Sequence, residues 1–357
     1  MGAKAKRYYR GFGLVEVMIA LALGTVIILG ISTIFTDSSK TLLDISKSGR
    51  QLENALFSLD LLGAELAHAG FWGEARTPID PDLDIFRGGE TPNSPPSPAF
   101  PLPPAICLGT GASGYTSKVE LAYGMAYPLW GGTGVVLNAE FAANACKGSG
   151  GTPRAASQFV VVRRASTCLT GEAACPQFNQ HFHLQVNGCF DQNNGLTGGE
   201  VRLSSDVTEL DYETRLCDSS VLAPLRRYNA HIYYVNQQDQ LVRMRFGWNA
   251  DLSAYGYEPD IMADGVEYLI FQWGIDNNLD GQIDLWIDEP IGNQWLNIVA
   301  AKVWLVVRGL SPEPGYEDSA TYQVADQTYV VPSANKAFRR AVHSRVVELT
   351  NLAGVRR

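Results

Sequence analysis

Hydrophobic positions follow two regimes along the chain. From Phe12 to Phe35 they are nearly continuous, FGLVEVMIALALGTVIILGISTIF, with Glu16 as the one charge. A helix of that length, rising about 1.5 Å per residue, crosses the roughly 30 Å hydrocarbon core of a bilayer. The pattern then becomes periodic. Leu42, Ile45, Leu52, Leu56, Leu59, Leu62 and Leu66 recur at helical spacing, with Lys47, Arg50, Glu53, Asp60 and Glu65 between them. One helix is predicted from residue 12 to residue 69, stopping near Gly70, its second half packed on a folded body. Gly24 and Gly30 weaken its interior by about 1 kcal/mol each relative to Ala, so any kink is expected at them.

After Gly73 the pattern changes again. Pro92, Pro95, Pro96, Pro98, Pro101, Pro103 and Pro104 crowd the stretch 78–106, which reads as a long surface loop because proline lacks a ladder donor. The remainder is β in character. Runs rich in Val, Ile, Tyr and Phe occur at 117–122, 158–164, 200–203, 208–215, 229–236, 240–246, 266–275, 283–287, 299–309 and 339–349, divided by Gly, Asn, Asp and Pro. Asn236–Leu241 suggests a hairpin. Residues 130–200 are rich in Gly, Asn and Cys and weakly periodic, and read as loops with a small hairpin around His181–Val186.

The expected fold class is α+β: a long N-terminal α-helix, membrane-spanning in its first half, packed on an antiparallel β-sheet domain with a disulfide-stapled loop insert. The boundaries expected are a basic leader at 1–11, a transmembrane helix at 12–35 and its amphipathic continuation at 36–70. A Pro-rich loop at 71–115 and an exported β-rich domain at 116–357 complete the chain.

Charge sharpens this picture. The net charge of −9 and pI of about 5.1 argue against a nucleic-acid-binding body, which needs a basic face. Lys4, Lys6, Arg7 and Arg10 precede the apolar run without an acid among them, and Asp37 follows it. By the positive-inside rule the short N-terminus stays cytoplasmic and everything after residue 36 is exported. All six cysteines, Cys107, Cys146, Cys168, Cys175, Cys189 and Cys217, lie on the exported side. An even count there suggests up to three disulfides with the pairing open, against an alternative of buried free thiols. No CxxC pair occurs, which disfavours a zinc ribbon or a thioredoxin-like site.

An ordinary secretory signal is cut after its apolar core. Here the candidate cut site, Arg10-Gly11-Phe12, comes before it, so the helix would stay on the mature chain. The basic leader, the Gly11-Phe12 junction, Gly13-Leu14-Val15, Glu16 and the apolar run together resemble the type IV pilin family. That resemblance implies prepilin peptidase cleavage after Gly11, N-methylation of Phe12, and attraction of a neighbouring subunit's N-terminal amine by Glu16. A carboxylate in the bilayer costs about 2.5–3.5 kcal/mol, which favours such a partner; the alternative is a Glu16 that snorkels to the headgroups. Where many major pilins have a proline, this chain has Thr33. Further along, AELAHAGFWG (64–73), FQWGIDNNLDGQIDLW (271–286), VWLVVRG (303–309) and FRRAVHSRVVELTNL (338–352) are similar to PilW-type minor pilins.

The resemblance implies a minor pilin that initiates or caps a type IV pilus serving adhesion, twitching motility or DNA uptake. Its partners would be other minor and major pilins, prepilin peptidase and the inner-membrane assembly platform. Its location would be the bacterial inner membrane and then the cell surface. A minor pseudopilin of a type II secretion system shares the same assembly chemistry. In a membrane-anchored adhesin the helix would only tether a binding domain, with Trp72, Trp130 or Trp248 as candidate contacts.

Two other patterns bear on chemistry. Asp276, Asn278, Asp280, Gln282 and Asp284, with Gly281 at the turn, match the first nine positions of an EF-hand-like calcium loop. The bidentate acid of position twelve is missing, Ile287 standing there, although Asp288 and Glu289 follow. A polar β-turn uses the same residues, so both readings stand. His181 and His183 share a strand face as a two-histidine metal site requires, but no third ligand stands out. No GxSxG, HExxH, P-loop or Rossmann glycine run indicates an enzyme.

Overall fold

The computed structural model describes residues 13–75, 106–107, 124–143, 146, 148–175, 177–178, 181–191, 196–197, 199–249 and 253–353. Gly11, Phe12, nearly all of the proline-rich stretch and the 117–122 run lie outside them. The chain divides into two units, residues 1–50 and 51–357.

Helix α1 (Leu14–Ala67) is continuous through Gly24 and Gly30. In the first unit its side chains are exposed all round, and the best 18-residue window has a mean hydropathy of 2.6 with none of it buried. In the second unit the periodic pattern takes effect only in part, since Leu52 and Leu56 stay exposed. Gln51, Ala55, Ser58, Leu59, Leu62, Glu65 and Leu66 are buried, a stripe at three- and four-residue spacing. The helix ends where Gly70 turns left-handed (φ +72°), a conformation that Cβ-bearing residues avoid. Its N–H donates to the Arg163 carbonyl at 3.1 Å, and Asn351 donates to the carbonyls of Ala67 and Ala69 at 3.2 and 3.3 Å, satisfying the helix end.

The β strands form two main antiparallel sheets. The first is built from β1 (Leu129–Thr133), β2 (Gln158–Leu169), β3 (His183–Val186), β6 (Val201–Ser204), β7 (Leu225–Val235), β8 (Gln240–Asn249) and β9 (Ala254–Asp264). Its order is β1-β2-β7-β3-β6, with β8 also on β7 and β9 on β8. The second, in the order β11-β10-β12-β15, contains β10 (Val266–Ile275), β11 (Leu285–Ile287), β12 (Ile298–Arg308) and β15 (Arg340–Glu348). Two ribbons, β4 (Phe190–Asp191) with β5 (Leu196–Thr197) and β13 (Thr321–Val324) with β14 (Gln327–Val330), complete the set. Helices α2 (Gly134–Ala142) and α3 (Thr350–Ala353) are short.

Strand β10 is buried on both faces, which explains its almost unbroken apolar sequence. Leu269, Phe271 and Trp273 enter the main core, while Tyr268 and Ile270 enter a smaller one with Val306, Val324, Tyr329 and Val331. Strand β11 pairs only with the end of β10. The rest of that β10 edge is closed by side chains: Ser157 Oγ accepts from Leu269 N (3.0 Å) and Gln158 Oε1 from Phe271 N (2.7 Å). These two buried residues join the sheets and leave neither amide unsatisfied.

One expected strand is absent and one unexpected strand is present. Residues 208–215 form no strand. A 3-10 turn, Val207–Glu209, begins there, started by Asp206 accepting from Thr208 N at 2.9 Å, and only an isolated bridge links Glu213 to Leu222. Short polar side chains bonding to nearby amides have outcompeted the ladder. The hairpin expected around His181–Val186 is present and longer: β3 is one arm and β6 the other, in the same register that pairs β4 with β5 beyond them, and β3 also pairs with the distant β7. Strand β9, with Gly256 and Pro259 inside it, went unrecognised because it carries two strand breakers; a proline is tolerated because β9 is an edge strand. The cysteines pair as Cys107–Cys146, Cys168–Cys175 and Cys189–Cys217, each within the loop-rich middle of the chain.

Candidate assembly helix and associated sites

The helix start is organised by two residues. Gly13 occupies the N-cap position: its carbonyl accepts from Glu16 N (3.0 Å) and Val17 N (3.2 Å), and its N–H donates to Glu16 Oε2 at 3.4 Å. Glu16 thus supplies the carboxylate half of a capping box, with its charge at the positive end of the helix dipole. Leu14, Val15, Val17, Met18 and Ile19 around it are all exposed within the chain. The carboxylate is therefore the one ionic feature on an otherwise apolar cylinder, and its second oxygen has no partner among the described residues.

Within the second unit the helix is fixed to the sheet by buried polar contacts as well as by leucines. Gln51 Nε2 donates to the Val307 carbonyl at 2.6 Å. Glu65 receives Arg164 at 2.7 Å and His231 Nδ1 at 3.0 Å. Burial alone would push the Glu65 carboxyl up, but the bonds from His231 and Arg164 outweigh it and hold the group well below the usual carboxylate range. Burial also lowers His231, so the imidazole is neutral and donates from Nδ1.

The second sheet contains an ionic network that sequence reasoning missed. Arg340 grips Glu267 through two bonds of 2.6 and 2.9 Å and reaches Asp318 at 3.1 Å, with the Arg340 and Glu267 side chains 0% exposed. Tyr329 donates to Glu267 at 2.8 Å, and burial together with that negative charge keeps the phenol protonated. Arg308 and Arg154 both pair with Asp239. Three cations and three carboxylates match, which is what makes burial of so much charge tolerable. The available signal was a pair of charges, Glu267 and Arg340, inside otherwise apolar strands.

The acidic loop after β10 has an internal logic. Asp276 accepts from the amides of Leu279 (2.7 Å), Asp280 (3.2 Å) and Gly281 (2.8 Å); Asp284 accepts from Asn277 (2.8 Å) and Asn278 (3.3 Å). Asp280 accepts from Gln282 N at 2.8 Å, and Asn278 from Asp280 N at 3.0 Å. Among the described residues no three His, Cys, Asp or Glu groups converge as a metal ion requires. His181 and His183 belong to no such group among the described residues. His183 directs Nδ1 at the His181 carbonyl (2.9 Å), and burial together with nearby Arg227 and His183 pulls His181 down to about 4.

With the helix and body described, comparison becomes informative. The prokaryotic N-terminal methylation motif matches residues 6–32, spanning the junction, Glu16 and most of the apolar run. The model of type IV pilus-assembly protein W matches residues 232–351, from β7 to α3. The chain carries a prepilin N-methylation motif and a PilW-type domain. The PilW-type domain holds the buried Glu267–Arg340 network and the acidic loop. A type IV-like pilin from Thermus thermophilus is similar at 13% identity and a TM-score of 0.27, over 62% of this chain and 96% of its own, a likeness too faint to carry an inference. No curated protein matches the sequence.

Proposed function

We propose that this pilin is a minor subunit that initiates or caps a type IV pilus. Prepilin peptidase cuts after Gly11, Phe12 is N-methylated, and the mature chain waits in the inner membrane with its N-terminus cytoplasmic and its body periplasmic. The assembly platform then transfers it, with other minor and major pilins, into a fibre that reaches the cell surface. One observation carries this reading: a helix exposed on every side and apolar from Leu14 to Phe35 but for a single carboxylate, Glu16, at its third residue. Lipid satisfies that surface before assembly and neighbouring helices satisfy it afterwards. The lone charge suits an amine created by cleavage in the adjacent subunit, a pairing much stronger in hydrocarbon than in water.

Substitution Glu16→Ala tests it. Chains with this change should be processed and methylated normally, as read by the mass of the mature N-terminus, yet enter pili at least 10-fold less often. Normal incorporation would make the helix a mere anchor and favour the tethered-adhesin reading. Incorporation into a secretion pseudopilus, and not into pili, would place the same chemistry in a type II system.

A further inference from the structure

The open edge of β11 combines exposed apolar side chains, flanking acids and a strand paired on one side. Leu285 and Trp286 are 51% and 38% exposed, and alternation sends them to opposite faces of the strand. Ile283 lies against Gly274, the register partner of Trp286, so it shares the Trp286 face. Asp280, Asp284 and Glu289 flank the strand in sequence, and among the described residues none of them forms an ion pair and Trp286 makes no hydrogen bond. The strand itself pairs on one side only, whereas the neighbouring stretch of β10 edge is closed by Ser157 and Gln158. The loop leading to it is braced by the Asp276 and Asp284 contacts. It also holds Leu279, an apolar and exposed residue, at φ +63°.

We infer that β11 is a docking edge for an extended, basic segment of a partner protein. Such a segment would add a strand beside β11, its backbone completing the ladder and its alternate apolar side chains covering Leu285 on one face and Trp286 with Ile283 on the other. Its cations would meet the acidic rim. A second copy of this chain would bring the same carboxylates edge to edge, so the charge pattern selects against self-pairing and for a partner of opposite sign. The braced loop holds the edge in place before the partner arrives, which reduces the ordering entropy of association. Nothing in this inference depends on the role given to Glu16, and either can fail alone.

The test uses the full chain in zwitterionic detergent and a synthetic ten-residue peptide of alternating lysine and valine, with an alternating glutamate–valine peptide as control. Anisotropy should show binding of the basic peptide, weakening at least 10-fold between 50 and 300 mM salt, and no binding of the acidic one. Hydrogen exchange should slow at residues 283–291 only when the basic peptide is present. Trp286→Lys should weaken binding at least 10-fold, and Asp280→Asn combined with Glu289→Gln by a similar factor, with unchanged melting temperatures confirming that both variants fold. Protection at another surface, equal binding of the acidic peptide, or full binding by the Trp286→Lys variant would overturn the inference. So would concentration-dependent self-association abolished by Trp286→Lys, which would make the occupant a second copy.

Discussion

Glu65→Gln isolates the contact that holds the helix to the first sheet. The substitution conserves volume and removes the charge, leaving Arg164 without its partner beneath the helix. Removing one member of a buried ion pair costs about 3–5 kcal/mol. Arg164 retains 17% side-chain exposure and can recover some hydration, which puts the expected loss near the lower bound, about 3 kcal/mol. At about 2 °C per kcal/mol for a large domain, the melting temperature should fall by about 6 °C. The pH dependence has a definite sign. The Glu65 carboxyl is lowered on folding from an ordinary 4.5, so its contribution is complete above that value and is lost as pH falls through the lower folded value. His231 is also lowered on folding, so its contribution is present above its ordinary 6.5 and declines as pH falls below it. The wild-type chain should therefore lose stability in two stages on acidification, and the Glu65→Gln chain should lack the later, more acidic one. Thermal melts in detergent, followed by tryptophan fluorescence from pH 7.5 to 3, measure both. A Glu65→Gln chain that melts within 1 °C of wild type at pH 7.5, or keeps the later stage, would refute this account.

Gln158→Ala should cost about 1–3 kcal/mol, because the buried Phe271 amide loses its acceptor, and exchange at that amide should accelerate before exchange elsewhere in β10. Asp276→Ala frees three loop amides at once and should cost a comparable 1–3 kcal/mol by the same reasoning. Calcium titrated into the wild-type chain should give no heat and no shift in melting, since the carboxylates already serve the loop amides; a calcium-dependent shift lost in Asp280→Ala would restore the cation reading.

Much of the architecture was legible in the residues because its signals are local. A continuous apolar run has one stable environment, hydrocarbon, and its charge flanks orient it. The stripe at Leu59, Leu62 and Leu66 has one period, and Gly70 marks a stop that only a residue without Cβ makes easily. Strands β10, β12 and β15 were visible for the same reason: apolar, β-branched composition is a property of each segment alone. The family resemblance at residues 10–16 rests on adjacent positions and needs no fold at all.

What only the tertiary structure decided is what depends on residues far apart in sequence. The pairing of β3 with β7, the two-sheet arrangement and the cysteine partners require chain closure that no local pattern specifies. Strand β9 was hidden because its glycine and proline are breakers in isolation and harmless at an edge. Glu267 and Arg340 stand 73 residues apart, and only the fold buries them against each other. The acidic loop shows the limit most clearly. Its spacing fits a cation and a turn equally well, and the deciding quantity is where the carboxylate lone pairs point, which belongs to the folded backbone and not to the order of the residues.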